Sequence, residues 1–355
     1  MRVCLVASSR FPIAEPFAGG LEAHTAVLAA GLRRRGHAVT LFAAAGSAPS
    51  LGVAHLDLPA FEPSAAARAD VGAPPEVWMR EHHAYLDLMV RLAREGSRHF
   101  EVVHNNSLHH LPVAMAAALD LPLVTSLHTP PIAWLESAIA LAPDGATFTA
   151  VSRRTADSWA HVASPTVVPN GVDTCRWTPG PGGPGAIWTG RLVPEKAPHL
   201  AIDAARSAGL PLVLAGPVHD VAYMETHVRP RLGDDVVYAG HLDTDRLVAA
   251  VGAARVALVT PEWDEPYGLV AAEAMACGTP VAALARGGLV DVVGTQGGRL
   301  APPGDPEALV RSVREAAVLP RRQVRAHAVR HCSADRMIRR YERIYRDVTT
   351  GRRAA

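Results

Sequence analysis

Apolar and polar residues follow each other along the chain in short blocks that predict strands and helices in turn. Residues 3–8 form an apolar run, residues 21–35 carry apolar side chains at helical spacing, and residues 39–43 are apolar again. An apolar run between turn signals is typical of a buried strand, whereas apolar residues three and four apart are typical of an amphipathic helix. Strand, helix and strand in this order predict a parallel sheet covered by helices.

The same alternation runs twice along the chain. Further strands are predicted at residues 102–103, 123–126 and 148–151, and then at 186–189, 212–215, 236–239, 256–259 and 280–284. Between the two sets the chain is rich in proline and glycine, which suits a linker. We therefore predict a first domain at 1–172, a linker at 173–185, a second domain at 186–333, and a C-terminal helix and tail at 334–355 that docks on one of the domains.

Length and charge agree with two ordinary globular domains. A chain of 355 residues is long enough for two domains of about 150 residues each. With 49% hydrophobic and 19% charged residues, both domains can bury a core. Because 35 Lys and Arg residues balance 34 Asp and Glu residues, no global field favours nucleic acid or an anionic membrane as a partner.

Cysteines and apolar runs bear on the compartment. The four cysteines are scattered and form no CxxC pair, which fits a reducing compartment and argues against a structural zinc. No apolar run approaches the roughly 20 residues of a membrane span, and the first residues resemble a strand rather than a signal peptide. We expect a cytoplasmic protein with no integral membrane segment.

Two familiar nucleotide motifs are missing, but a basic turn is present. No GxGxxG follows a predicted strand, which disfavours an NAD or FAD enzyme, and the absence of GxxxxGK[ST] excludes a P-loop NTPase. Residues 190–196, Gly-Arg-Leu-Val-Pro-Glu-Lys, directly follow a predicted strand. Arg191 and Lys196 leave the sheet edge together and can clamp a diphosphate.

A second segment combines carboxylates with a helix start. The chain from Glu265 opens as a loop, becomes an alanine-rich helix at about Gly268 and is stopped by Gly278 and Pro280. A helix N-terminus binds phosphate through its unpaired amides, and a carboxylate accepts hydrogen bonds from a vicinal diol. Taken alone, Glu265 and Glu273 would more often only decorate a helix start.

In this combination the sequence resembles the retaining glycosyltransferases of family four, also called glycosyltransferase group 1. The donor signatures are residues 190–196 and Glu-x7-Glu at 265–273 followed by Ala-Met-Ala-Cys-Gly-Thr-Pro. Residues 170–173, Asn-Gly-Val-Asp, match the domain junction, and residues 19–22, Gly-Gly-Leu-Glu, match the first-domain glycine loop. The resemblance implies the GT-B architecture, an α/β fold of two Rossmann-like domains whose parallel sheets face each other across a cleft.

The resemblance also implies roles for individual residues toward a nucleoside-diphosphate-sugar donor. Arg191 and Lys196 would hold the diphosphate, Glu273 the ribose and Glu265 the transferred sugar. His128 would lie near the reacting sugar, although a lone histidine is usually a satisfied loop residue. The catalytic group is thus His128, Glu265, Arg191 and Lys196. The remaining donor contacts would come from Gly19, Gly20, Gly190, His241, Leu242, Tyr267, Gly268, Leu269 and Val270.

The first domain is expected to hold the acceptor. Its candidate residues, which lie near predicted strand ends, are Glu22, His24, Asn105, Asn106 and His109. The stretch 78–94, rich in histidine and aromatic residues, fits an acceptor wall or, more readily, an amphipathic core helix.

A metal is not expected. Asp243-Thr244-Asp245 satisfies the DxD pattern of metal-dependent sugar transferases, but N-capping of the following helix explains both carboxylates. Arg191 and Lys196 already neutralise a diphosphate, so we expect no metal and no cofactor beyond the donor. The sequence departs from the family at Ala197, at Pro266-Tyr267 and at Asp291, which affects the shape of the sugar pocket.

These observations predict a metal-independent, retaining transfer of a sugar to a small-molecule or glycan acceptor. Two alternatives stay open: a non-catalytic nucleotide-sugar-binding partner subunit, and a sugar phosphorylase of the same fold. The phosphorylase is disfavoured because no pyridoxal-phosphate lysine motif is evident. The donor base, the donor sugar, the acceptor and the oligomeric state are not determined by the sequence.

Overall fold

The computed structural model describes residues 1–56, 61–143 and 145–354, and side chains as far as Gly351. Its strands are β1 Arg2–Val6, β2 Ala38–Ala43, β3 Val53–His55, β4 Val102–Asn105, β5 Leu123–Leu127, β6 Thr147–Ala150, β7 Thr166–Val167, β8 Ala186–Thr189, β9 Leu212–Ala215, β10 Val236–Tyr238, β11 Val256–Val259, β12 Val281–Leu284 and β13 Gly298–Ala301. Every predicted strand is present. The strands β3, β7 and β13 were not predicted, because they are short and carry little apolar sequence.

Helices separate the strands as the periodicity predicts. They are α1 Gly20–Arg34, α2 Ala65–Arg68, α3 Glu76–His99, α4 Leu111–Ala114, α5 Ala133–Ala140, α6 Arg153–Ser158, α7 Pro198–Ala208, α8 Val221–Tyr223, α9 Thr244–Gly252, α10 Leu269–Ala276, α11 Leu289–Gly297, α12 Pro306–Ala316, α13 Arg321–His331 and α14 Ala334–Ala354. A π-helical segment, Met224–Val228, continues α8. The last helix is longer than the apolar periodicity indicates. The predicted tail ends at residue 355, which lies outside the described residues.

The strands form two sheets in which every strand pair is parallel. The first sheet has the order β3-β2-β1-β4-β5-β6-β7 and the second has the order β10-β9-β8-β11-β12-β13. In both sheets the chain reverses its direction of winding between the first strand and its later neighbour, β1 with β4 and β8 with β11. These switch points are where open α/β sheets bind ligands.

Alternate residues of each central strand pack on opposite layers of helices. In β1, Val3 and Leu5 belong to the cluster covered by α1 and α14, whereas Cys4 and Val6 pack against the stripe of Tyr85, Leu88 and Met89 on α3. The second sheet is covered likewise, by α10, α11 and α13 on one face and by α7 and α12 on the other. The stretch 78–94 is therefore part of a core helix, the more readily expected of its two interpretations.

The C-terminal helix returns to the first domain. Met337, Ile338, Tyr341 and Tyr345 of α14 are buried in the cluster that contains α1. The crossing chain pairs with the interdomain segment, since the Val172 amide donates to the Cys332 carbonyl at 2.8 Å. A Cβ on Gly171 would lie 2.5 Å from the Ala334 Cα, so only glycine allows this approach.

Candidate active site in the interdomain cleft

A cleft of about 740 Å³ separates the two sheets and is lined by residues of both domains. The loops that follow β1, β8 and β11 line it, because the carboxyl ends of these strands meet at the two switch points. The predicted donor residues lie on the second-domain wall except for Gly19 and Gly20, which lie on the first-domain wall together with two of the predicted acceptor residues, Glu22 and His24.

The loop after β8 carries the basic pair. Gly190 has φ +152, and Gly216 of the neighbouring strand loop has φ +145 and would place a Cβ 1.8 Å from the Gly190 carbonyl oxygen. Both positions therefore require glycine. The turn leaves Arg191 partly exposed on the cleft wall, where its guanidinium lies 3.6 Å from Glu195.

Lys196 and Glu265 form an ion pair on the second-domain wall. The Lys196 Nζ lies 2.5 Å from the Glu265 Oε2, and the Trp263 Nε1–H donates to the same oxygen at 3.1 Å. The ammonium also lies 4.9 Å from the centre of the Trp263 ring, within cation–π range. Lys196 and Glu265, which the sequence predicts to hold phosphate and sugar, thus hold each other in place.

Ala197 follows Lys196 and is one of the positions where the sequence departs from the family motif. It nevertheless keeps the conformation of the turn. Ala197 is the one non-glycine residue with positive φ in the described parts of the chain, at +45, and it is fully buried. The Thr260 hydroxyl donates to the Ala197 carbonyl at 2.9 Å and so ties this turn to the β11 loop. The alanine keeps the left-handed conformation that glycine adopts more readily.

Two glycines that the sequence does not identify as site residues, Gly287 and Gly288, contact the backbone of Glu265. The Gly288 amide donates to the Glu265 carbonyl at 2.6 Å. Gly287 has φ +57, and a Cβ there would lie 2.1 Å from the same carbonyl oxygen. The two adjacent glycines at 287 and 288 are visible in the sequence, but only the fold shows that they approach Glu265.

Helix α10 begins at the cleft. Gly268 precedes it with φ +95 and left-handed geometry, and a Cβ at this position would lie 2.4 Å from Leu289. The first amides of an α-helix have no partner within the helix, so those of Leu269 and Val270 are available to an anion. Glu273 lies one turn further along; burial raises the pKa of its carboxyl to about 8.

Three other predicted donor residues, His241, Leu242 and Tyr267, line the cleft but differ in how far they are buried. His241 lines the cleft and its Nε2–H donates to the Phe17 carbonyl of the first domain at 3.0 Å. Leu242 also lines the cleft. The ring of Tyr267 is only 3% exposed and packs in the second-domain core with Cys332, so it offers the donor little polar surface.

The first-domain wall begins with the glycine loop. A Cβ on Gly20 would lie 3.2 Å from the Leu269 side chain across the cleft, and one on Gly19 would lie 3.1 Å from the Glu22 carboxylate. Glu22 is 5% exposed; burial raises the pKa of its carboxyl, and the positive charge of Arg191 partly opposes this rise. Gly20 therefore lets the start of α1 approach the second-domain wall closely, and Gly19 leaves room for the Glu22 side chain.

Two histidines and an amide form the buried polar part of this wall. The His128 Nε2–H donates to the Asn106 Oδ1 at 2.7 Å, and the His24 ring meets the His128 ring edge-on at 4.9 Å. Within the described residues, the His24 ring nitrogens and the Asn106 Nδ2 are buried and make no well-formed hydrogen bond, although Asn106 lies close enough to oppose the fall in the pKa of His24. Burial lowers the pKa of His24 to about 4 and that of His128 well below its ordinary value, so both rings are neutral near pH 7.

Three of the five predicted acceptor residues do not line the cleft: Asn105, Asn106, which reaches it only through His128, and His109. Asn105 is buried, and its Oδ1 accepts hydrogen bonds from the Ser107 amide and hydroxyl at 3.0 and 2.6 Å, so it shapes the turn after β4. His109 stacks on Tyr85 at 4.4 Å and belongs to a separate histidine group. Strand-end position alone did not distinguish Asn105 and His109 from Asn106 and His128.

The DxD segment acts as a helix cap and an ion-pair partner. The Asp243 carboxylate accepts from the Arg246 amide at 2.9 Å and caps α9, as the sequence predicts. Asp245 instead pairs with Arg176 at 3.1 Å, and Arg176 also binds Glu15 of the first domain. Both carboxylates therefore have a structural partner.

Two family descriptions divide the chain between them. The one described as Glycosyltransferase Family 4 matches residues 18–176, and the one described as Glycosyl transferases group 1 matches residues 181–328. Each match covers one of the two sheets and its cleft loops. The chain belongs to the group 1 glycosyltransferases of family 4.

Individual relatives agree with this family. The glycogen synthase of Mycobacterium tuberculosis is 29% identical over 282 residues, which cover 69% of this chain and 68% of that protein. The D-inositol 3-phosphate glycosyltransferase of Acidothermus cellulolyticus is 28% identical over 355 aligned residues, 82% of this chain and 77% of that protein.

Solved structures share the GT-B fold. The sucrose-phosphate synthase of Thermosynechococcus elongatus superimposes with a TM-score of 0.78 at 19% identity, covering 99% of this chain and 100% of that one. Anabaena HepE, crystallised with UDP-glucose, gives a TM-score of 0.74 at 17% identity over 98% of this chain and 100% of that one. In the described part of this glycosyltransferase, no helix has the length and apolar character needed to cross a membrane.

Proposed function

We propose that this glycosyltransferase transfers a sugar from a nucleoside-diphosphate sugar to an acceptor hydroxyl with retention of anomeric configuration and without a metal ion. The observation that supports it best is the convergence of Arg191, Lys196, Glu265 and the start of α10 on one wall of the cleft. A diphosphate needs cations and amide donors, and a sugar needs a carboxylate acceptor. This wall supplies both within one ion-paired unit.

The Lys196–Glu265 pair has a direct consequence for donor binding. The Lys196 ammonium is bound to a carboxylate that is only 14% exposed. A donor that places its phosphate on Lys196 and its sugar on Glu265 keeps the ammonium paired with an anion and gives the carboxylate hydroxyl groups as hydrogen-bond donors, whereas a diphosphate alone competes with Glu265 for the ammonium and supplies no such donors. The pair therefore favours the intact donor over the product diphosphate.

The reaction itself relies on position and charge. The bond between the anomeric carbon and the phosphate oxygen breaks, and Arg191, Lys196 and the amides of Leu269 and Val270 stabilise the charge left on the diphosphate. The acceptor oxygen bonds to the anomeric carbon from the same face, and its proton passes to the departing phosphate oxygen. Glu265 orients the sugar, and no enzymic nucleophile is required.

Release of nucleoside diphosphate from a panel of sugar donors and acceptors tests this proposal, with the anomeric configuration of the product read by NMR. Arg191→Ala and Lys196→Ala should each weaken donor binding, and the double variant should lose less than the sum because both hold one diphosphate. Arg246→Ala, on the exposed surface of α9, is the control. Donor binding without any diphosphate release would instead indicate a non-catalytic nucleotide-sugar-binding subunit.

A further inference from the structure

Three histidines of the first domain form a cluster beside the cleft. His82 lies on α3, and His109 and His110 follow β4. Each offers a ring nitrogen within 4.8 Å of the others, and the rings of His109 and His110 stack at 4.4 Å. All three side chains are half-buried and therefore reachable by a ligand.

This histidine cluster adjoins the cleft. Leu108, the residue before His109, lines the cleft, and so does Arg10. The Arg10 guanidinium lies 3.7 Å from Glu81, the neighbour of His82 on α3, and its positive charge contributes to the lowered pKa of His109. Arg10 is therefore shared between the cleft and the cluster.

The hydrogen-bond roles of the three rings indicate what kind of ligand they suit. The Leu111 amide donates to the His109 Nδ1 at 3.2 Å, so the other nitrogen of that neutral ring carries its hydrogen and is a donor. The ring nitrogens of His82 and His110 form no hydrogen bond with the described part of the protein. Donors within 4.8 Å of one another can share one oxyanion, because each N–H···O bond spans about 2.9 Å.

A transition metal is the obvious competitor for three histidines, and the geometry disfavours it. A metal-binding histidine uses the lone pair of one nitrogen and usually donates its other N–H to an acceptor. His109 does the reverse, since its Nδ1 accepts a hydrogen bond from a backbone amide. The nearby guanidinium of Arg10 also opposes a cation and favours an anion.

We propose that Arg10, His82, His109 and His110 form a subsite for an oxyanion, phosphate or carboxylate, carried by the acceptor of the glycosyl transfer. The Trp134 ring lies 4.9 Å from His110 and is 66% exposed, which provides an apolar face for the acceptor beside the charge. Burial, and then the charged forms of the neighbouring histidines, lower the pKa of His109 to about 3, so its ring is neutral near pH 7 and serves an oxyanion as a hydrogen-bond donor. The inference rests on the proposed function, because it assigns the subsite to the acceptor.

Calorimetry on the full chain tests the subsite with inorganic phosphate as the probe. Saturating nucleoside diphosphate is added first, so that the diphosphate site on Arg191 and Lys196 is occupied. Phosphate should then bind saturably, and His82→Gln and His110→Gln should each weaken it by about tenfold or more, the loss expected for a charge-assisted hydrogen bond. His83→Gln is the matched control: it neighbours His82 on α3 but stacks on Phe61, so it should leave phosphate binding unchanged.

Transfer assays then distinguish the sources of the oxyanion. Hexose phosphates, hexuronates and neutral hexoses are offered as acceptors, and phosphate should compete with the preferred anionic acceptor but not with the donor. His82→Gln should raise the KM for that acceptor and leave the affinity for nucleoside diphosphate unchanged.

Three outcomes would count against the subsite. If nucleoside diphosphate binds but phosphate does not, the subsite is disproved while the proposed function stands. If Zn²⁺ binds tightly and both His82→Gln and His110→Gln abolish its binding, the cluster is a metal site. Failure of nucleoside diphosphate itself to bind would contradict the proposed function, and with it the assignment of the cluster to an acceptor.

Discussion

The two walls of the cleft differ in how their polar groups are satisfied before a ligand binds. On the second-domain wall, Lys196, Glu265 and Trp263 bind one another. On the first-domain wall, the ring nitrogens of His24 and the Nδ2 of Asn106 are buried and make no well-formed hydrogen bond within the described residues. Burying a polar group without a hydrogen-bond partner costs about 1–3 kcal/mol of stability. Such a group in a folded protein therefore indicates a place where a ligand supplies the missing hydrogen bond. The second-domain wall is thus preorganised by internal pairing, whereas the first-domain wall has unmet hydrogen-bonding capacity among its described residues.

Removing Glu265 breaks the pairing of the second-domain wall and should have the largest effect. Glu265→Ala should lower kcat by about 10²–10³-fold, as for the loss of one preorganised transition-state contact. Free nucleoside diphosphate should bind as well as before or more tightly, because Lys196 no longer has a competing carboxylate. Turnover rates and calorimetric titration measure the two effects, with Glu262→Ala on the same loop as the control. A loss of diphosphate affinity would contradict the placement of the sugar at Glu265.

Glu273 separates ribose binding from sugar binding on the same wall. Glu273→Ala should weaken the donor and the free diphosphate alike, by about 1.5–3 kcal/mol, because both carry the ribose. Titration of this variant with each ligand gives the comparison with Glu265→Ala. Equal affinity for free diphosphate in Glu273→Ala and the unaltered protein would disprove the ribose contact.

The pH dependence of diphosphate binding sharpens this assignment. Burial raises the pKa of Glu273 to about 8, so its carboxyl is protonated at pH 6 to 7 and ionises above pH 8. Ribose hydroxyls donate to the ionised form, so binding releases a proton. Affinity should rise by up to about tenfold per pH unit toward pH 8 and then level off. Glu273→Gln should remove this dependence, and a pH-dependent rise that persists in it would place the titrating group elsewhere.

On the first-domain wall, we expect His24 to lower the stability of the protein and to contribute to transfer to the acceptor. His24→Leu should raise the free energy of unfolding by about 1 kcal/mol, because it removes a buried imidazole whose nitrogens make no well-formed hydrogen bond with the described residues. Transfer to the acceptor should fall, while diphosphate binding stays unchanged. Thermal unfolding and acceptor titrations measure both, and a destabilised His24→Leu would show that the ring has a structural partner in solution.

Metal removal should have the smallest effect. Activity should be unchanged in chelator, because Arg191, Lys196 and the α10 amides supply the positive charge. Asp243→Ala should cost about 0.5–2 kcal/mol of stability as a lost helix cap and leave turnover intact. Loss of turnover in chelator with recovery in Mn²⁺ or Mg²⁺ would contradict the proposed metal independence.

Local features of the sequence determined much of this protein. The strand before Gly190, the start of α10 beside Gly268 and the cap at Asp243 were all predicted correctly, because propensity, glycine conformations and helix capping depend on neighbours in the chain. The family motifs indicated which of these turns carry charge for a ligand.

Tertiary structure alone decided which groups meet. Lys196 and Glu265 pair because β8 and β11 are adjacent at a switch point, and three histidines from α3 and the β4 loop come together for a similar reason. Packing between segments that are distant in the sequence also places α14 on the first domain and buries Asn105 and Tyr267. Periodicity indicates that a face is buried but not which distant segment covers it, since contacts between segments remote in sequence depend on the packing of the whole fold.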